Sequence, residues 1–179
     1  MNISAMVKAA LLAALAAVAA QIAIPLPFSP VPITLQVFVP LLAGAVLGPF
    51  YGTLSMIIYV LMGAIGLPVF AKGAAGLGVV IGPMGGYLLG FIAAAFIVGI
   101  IVTKIGNTTG KLIIAMSAGV LIIYTLGVVQ LALISRLTPV QAILAGAVPF
   151  IIPDFIKAVI AATIARRIGF ATSGDDTDT

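Results

Sequence analysis

The sequence predicts an all-α integral membrane protein, a bundle of six transmembrane helices, on three observations. Of its 179 residues, 63% are hydrophobic and 7% are charged. A typical soluble domain carries about 25% charged residues. So few polar residues cannot cover a water-facing surface, so lipid stands in for water around most of the chain. The third observation is the recurrence of long apolar runs separated by proline and glycine. The length suits one domain, taken as residues 1–170.

The first span runs from about Met6 to Ile24 and ends at Pro25, Pro27, Pro30 and Pro32. Lys8 and the following Ala/Leu run have the flavour of a signal peptide, but further spans follow, so this segment serves as signal and anchor together. The second span is about Leu35–Leu47, stopped by Gly48 and Pro49. The third is about Phe50–Ile65, stopped by Gly66 and Pro68. Both are short against the roughly 20 residues of a full crossing. They are expected to be tilted, broken or buried beside a cavity, and fusing them would give five spans. The fourth span is about Gly85–Thr103, the fifth Leu112–Ile134 and the sixth Val140–Ile164. Thr138 before Pro139 is a strong helix start, and Pro149 and Pro153 fall inside the last span.

Charge placement supports six spans with both termini cytoplasmic. Lys8, Lys104, Lys111, Arg166 and Arg167 then lie inside, and Lys72 and Arg136 outside, as the positive-inside rule asks. The polar tail, residues 171–179, is expected to be disordered and cytoplasmic.

Composition excludes several function classes. There is no cysteine and no histidine, and three of the four acids fall in the last five residues. No disulfide, thiolate site or metal cluster is expected, and histidine-based acid–base catalysis is impossible. No cofactor and no enzyme activity are expected. The basic residues form no stripe interleaved with aromatics, so nucleic acid is not a partner. No phosphate-binding glycine-rich signature precedes a lysine, so nothing marks an ATPase.

The informative residue in a membrane span is the polar one at depth. Asp154 and Lys157 lie three apart in the last span and share a helix face. Unpaired, each would cost several kcal/mol in hydrocarbon. Two readings stand: an ion pair locking the bundle, or a pair lining a solute cavity. Pro153 is expected to loosen the helix beside them. The first connection, with its four prolines and Phe28, suits a stiff loop capping a cavity, and Thr34 and Gln36 bring polar groups into the second span. Gly85, Gly86 and Tyr87 open a helix whose free amides can meet a polar group, and Tyr87 adds a ring face and a hydroxyl. Ala9, Ala13 and Ala17 stand four apart in the first span. Such a flat stripe admits a close helix, from this chain or from another membrane protein.

Four segments in this order carry a family resemblance: Val31 to Gln36 (Val-Pro-Ile-Thr-Leu-Gln), Gly63 to Phe70 (Gly-Ala-Ile-Gly-Leu-Pro-Val-Phe), Gly82 to Tyr87 (Gly-Pro-Met-Gly-Gly-Tyr), and Pro153 to Lys157. Together, over about residues 5–168, they resemble the BioY family, the biotin-specific substrate-binding (S) components of energy-coupling factor (ECF) transporters. The resemblance implies a six-helix bundle in the cell (cytoplasmic) membrane with a high-affinity biotin site near the outside. It implies Asp154 and Lys157 as polar ligand contacts, with Asp154 expected to meet a ureido N–H. It casts the Ala9, Ala13 and Ala17 stripe as the docking surface for the transmembrane coupling subunit, which works with two ABC-type ATPases. Met84 departs from the family pattern, where a small polar residue is usual. The open alternatives are a stand-alone secondary transporter, an S component for another vitamin, and a structural membrane protein.

Overall fold

The computed structural model describes residues 3–173. Helix α1, Ile3–Gln21, leads into a two-stranded antiparallel ribbon, β1 (Ala23–Leu26) and β2 (Ser29–Thr34). Helices α2 (Phe38–Ala64), α3 (Leu77–Ile81), α4 (Gly85–Ile105), α5 (Thr109–Ser135), α6 (Pro139–Gly146) and α7 (Ile151–Ser173) follow. Among the described residues, five segments are long and apolar enough to cross a membrane: α1, α2, α4, α5 and the stretch Pro139–Ile168. Large apolar side chains such as Leu11, Val18, Phe50, Leu121 and Ile152 stand exposed around them. An apolar exterior on this scale belongs in lipid, and the chain is a multi-pass membrane protein.

The second segment is not a straight helix. Gly48 adopts φ 72° and ψ −176°, a backbone state that glycine reaches without penalty. Pro49 then opens the next helical stretch with its φ already set. The chain reverses here. A Cβ on Gly52 would lie 2.7 Å from the Ala43 carbonyl oxygen, and the Gln36 amide donates to the Tyr59 hydroxyl. In a straight helix those last two residues would be about 34 Å apart. The arms on either side of Gly48 therefore lie side by side, close to the boundaries read from sequence. In the first arm Val39 to Gly44 are all buried. Gly44 sits so near α4 that an added Cβ would stand 2.3 Å from the Ala95 carbonyl oxygen.

The expected stiff loop after α1 is a hairpin, which corrects the purely helical expectation. Ala23 pairs with Thr34, Ile24 with Ile33 and Leu26 with Ser29. Prolines are tolerated because each strand of a two-stranded ribbon is an edge.

The last span is also corrected, from a continuous helix to a broken one. Helix α6 begins with the expected Thr138 cap, completed by Gln141 in a reciprocal capping box. It ends at Gly146, and a 3₁₀ turn spans Val148–Phe150. Pro149 lacks an N–H and its ring clashes with the carbonyl four residues back, which is that of Ala145. The freed carbonyls find other donors: Ala145 accepts from the Ser29 hydroxyl at 2.7 Å, and Gly146 from the Tyr87 hydroxyl at 2.7 Å. Pro153 falls in the first turn of α7, where no intrahelical N–H bond is required. It opens that helix and does not loosen it. Helix α7 extends to Ser173, three residues into the expected tail. The rest of that tail, 174–179, lies outside the described residues.

Candidate functional site: a buried acid–base pair under an apolar cavity

The break before α7 places Asp154 in the first turn of a helix, where the backbone dipole favours negative charge. Its carboxylate is buried, 2% exposed. One oxygen accepts from the Lys157 ammonium at 2.6 Å. The other accepts from the Tyr124 hydroxyl of α5 at 2.8 Å. Lys157, 8% exposed, also donates to the backbone carbonyl of Thr34 at the end of β2. The spacing of three read from sequence does put both charges on one face, and the pair is buried and hydrogen-bonded on both sides.

Above this pair lies a small, partly open cavity of about 60 Å³. Its walls come from β2 (Val31, Pro32, Thr34), from Gln36 and Val37, and from Phe70 and Met84 in the long connection. The opening turns of α4 (Tyr87, Leu88, Phe91), Ile123 and Tyr124 of α5, and Phe150 and Asp154 also contribute. Most of this surface is carbon. A few convergent polar groups in an apolar hollow are the usual composition of a small-molecule site. Among the described residues no buried side-chain nitrogen or oxygen lacks a hydrogen-bond partner. An incoming ligand therefore uses spare lone pairs or exchanges existing bonds. Each Asp154 oxygen uses one bond from a side chain and can accept another.

Of the residues singled out in the sequence, Asp154, Tyr87, Thr34 and Gln36 all line this cavity. Lys157 reaches it through its bonds to Asp154 and Thr34. Gln36 is held on both sides, accepting from the Thr34 hydroxyl at 3.2 Å and donating to Tyr59. Tyr87 lays its ring on Gly127, where an added Cβ would meet it at 2.3 Å.

Other residues singled out in the sequence stand away from this cavity. Gly86 does not line the cavity: a Cβ there would lie 2.2 Å from the Leu126 carbonyl oxygen, so its role is close packing of α4 on α5. The first-turn amides also turn inward, Gly85 to the Gly82 carbonyl and Tyr87 to that of Met84, both at 3.1 Å. Phe28 sits at the hairpin tip, 64% exposed, in a separate shallow groove with Pro30, Leu137 and Leu144. Ala9 and Ala13 are 0% and 1% exposed and Ala17 is half-buried. The stripe packs within the chain, where small side chains let α1 settle against its neighbours.

Tyr124, Tyr59 and Gln130 were not singled out by sequence. Gln130 donates to the Val80 and Gly82 carbonyls at 2.9 and 2.8 Å, fixing the segment that leads into α4. A polar group in mid-span was the available signal for all three.

A family model described as the BioY family matches residues 1–173. A Thermotoga maritima protein named biotin transporter BioY is 47% identical over 163 residues, covering 91% of this chain and 94% of its own. A Pyrococcus horikoshii protein named probable biotin transporter BioY is 43% identical over 159 residues, covering 89% and 92%. Among solved structures, the S-component for biotin from an ECF-type ABC transporter aligns with a TM-score of 0.88 at 29% identity, over 93% of this chain and 90% of that one. The chain belongs to the BioY family.

Proposed function

We propose that this chain binds biotin in the cavity above Asp154 and mediates its uptake across the cell membrane as the S component of an ECF transporter. The observation that carries the reading is the Asp154 carboxylate, held between Lys157 and Tyr124 at the wall of an apolar hollow. Biotin presents two ring N–H donors, a ring carbonyl, an apolar bicycle and a chain ending in a carboxylate. Asp154 has lone pairs left for ring N–H groups. Lys157 has donated twice and keeps one proton for a carbonyl or carboxylate. Phe70, Leu88, Phe91 and Ile123 receive the apolar body. No covalent bond changes in this role.

ATP hydrolysis belongs to two ABC-type ATPases, coupled through a transmembrane partner subunit. That subunit docks on the exposed side of α1, where Ala10 and Ala14 stand between Val7, Leu11 and Val18. Counting the arms either side of Gly48 separately gives six crossings. An even number puts both termini on one side, and the lysine and arginine distribution makes it the cytoplasmic side.

Calorimetry of the purified protein with biotin tests the reading, with Asp154→Asn and Lys157→Ala in parallel. Stoichiometric binding by the parent, lost in folded variants, is expected. A folded parent that binds no biotin overturns it.

A further inference from the structure

Two chain segments wall the cavity and neither belongs to a long helix: the hairpin with Gln36 just beyond it, and the connection carrying Phe70 and Met84. Both are tied to one hydroxyl. The Tyr59 oxygen accepts from the Gln36 side-chain amide and donates to the Val69 carbonyl at 3.1 Å. Tyr59 is 0% exposed and is not among the cavity walls. Its ring meets that of Phe70 edge-on, with centroids 5.7 Å apart. From Gln36 the bonding continues through the Thr34 hydroxyl and the Thr34 carbonyl to Lys157 and Asp154. The ion pair is thus continuous with both walls, and Tyr59 is where the walls meet. Other fastenings hold one wall each: Ser29 holds the hairpin to α6, and Gln21 holds the Phe70 carbonyl at 3.3 Å.

We infer that Tyr59 is a positioning residue for ligand retention, a clasp whose hydroxyl holds the two cavity walls together without touching the ligand. The inference rests on the cavity being the ligand site. Phe at this position keeps the ring against Phe70 and removes only the clasp. Its loss frees the walls to part, which speeds escape and leaves the binding groups in place.

The test compares the parent with Tyr59→Phe, by biotin association and dissociation rates and by a spin-label distance distribution between cysteines at positions 28 and 67. The chain has no cysteine of its own, so labelling is clean. Dissociation is expected to quicken about tenfold, the scale of one buried hydrogen bond, with association within about twofold. The distance distribution of the empty protein is expected to broaden. An unchanged distribution in folded Tyr59→Phe overturns the clasp. A broadened distribution with unchanged dissociation overturns its part in retention. If the parent binds no biotin, the site reading has failed, and the distance arm alone still decides whether Tyr59 joins the walls. Should Tyr59→Phe not fold, Gln36→Met removes the same bond from its other end, and because Gln36 lines the cavity only its distance distribution is read: an unchanged distribution overturns the clasp.

Discussion

Lys157 stands 2.6 Å from Asp154, one helical turn further along α7, and its other bond goes to the Thr34 carbonyl. The pair is therefore a link between the last helix and the hairpin as well as a local neutralisation of charge. Removing one member of a buried pair leaves an uncompensated charge, at a typical cost of about 3 kcal/mol or more. Lys157→Met is expected to lower the thermal midpoint in detergent strongly. The double variant Asp154→Asn with Lys157→Met is expected to recover much of that loss. Additive effects in this cycle would show that the two side chains are not energetically coupled.

Tyr124 fixes the carboxylate from the α5 side. Tyr124→Phe keeps the ring and removes the donor. Biotin affinity is expected to fall about tenfold, the worth of one hydrogen bond to a charged group at the low end of its range. Titration calorimetry reads this directly. Unchanged affinity would mean that Lys157 alone holds the acceptor in place.

Gly86 and Gly110 each stand in the first turn of a long helix, α4 and α5. A methyl at Gly86 meets the Leu126 carbonyl oxygen at 2.2 Å, whereas one at Gly110 meets nothing within 4 Å. Gly86→Ala is expected to destabilise by about 2 kcal/mol through overpacking. Gly110→Ala is expected to be neutral or slightly stabilising. Thermal unfolding of the two variants side by side checks the contrast, and equal midpoints would contradict the packing role.

The exposed hairpin tip is predicted to matter little for the empty fold. Phe28→Ser is expected to shift stability by no more than about 0.5 kcal/mol, as for surface positions away from special contacts. Tyr87→Phe is expected to cost about 1 kcal/mol, because the Gly146 carbonyl loses its donor. A larger effect at Phe28 than at Tyr87 in chemical unfolding would reverse this ordering.

What could be read in the sequence follows from how strongly each residue type contrasts with an apolar background. Asp154 and Lys157 stood out because charge within a span is rare, and Gly48 with Pro49 marked the reversal because no helix continues smoothly through that pair. The ribbon was hidden by its own prolines, which argue against strands and leave no clean alternation from Ala23 to Thr34. Tyr124 and Tyr59 passed unremarked because an aromatic ring reads as apolar until its hydroxyl is given a partner. Small residues such as Gly86 and the alanines of α1 signal close approach without saying to what. Burial within the chain decided that question for Ala9 and Ala13.

The reversal at Gly48 has a consequence for biogenesis. The arm from Phe38 to Leu47 is ten residues long, about 15 Å of helix, roughly half the hydrocarbon thickness. It is too short for the insertion machinery to release into lipid as an independent element. It has to enter folded against its return arm, as one helical hairpin. Its buried side chains then wait for Ala95 and the rest of α4, so the second arm and the fourth helix must leave the ribosome before the first has its final neighbours.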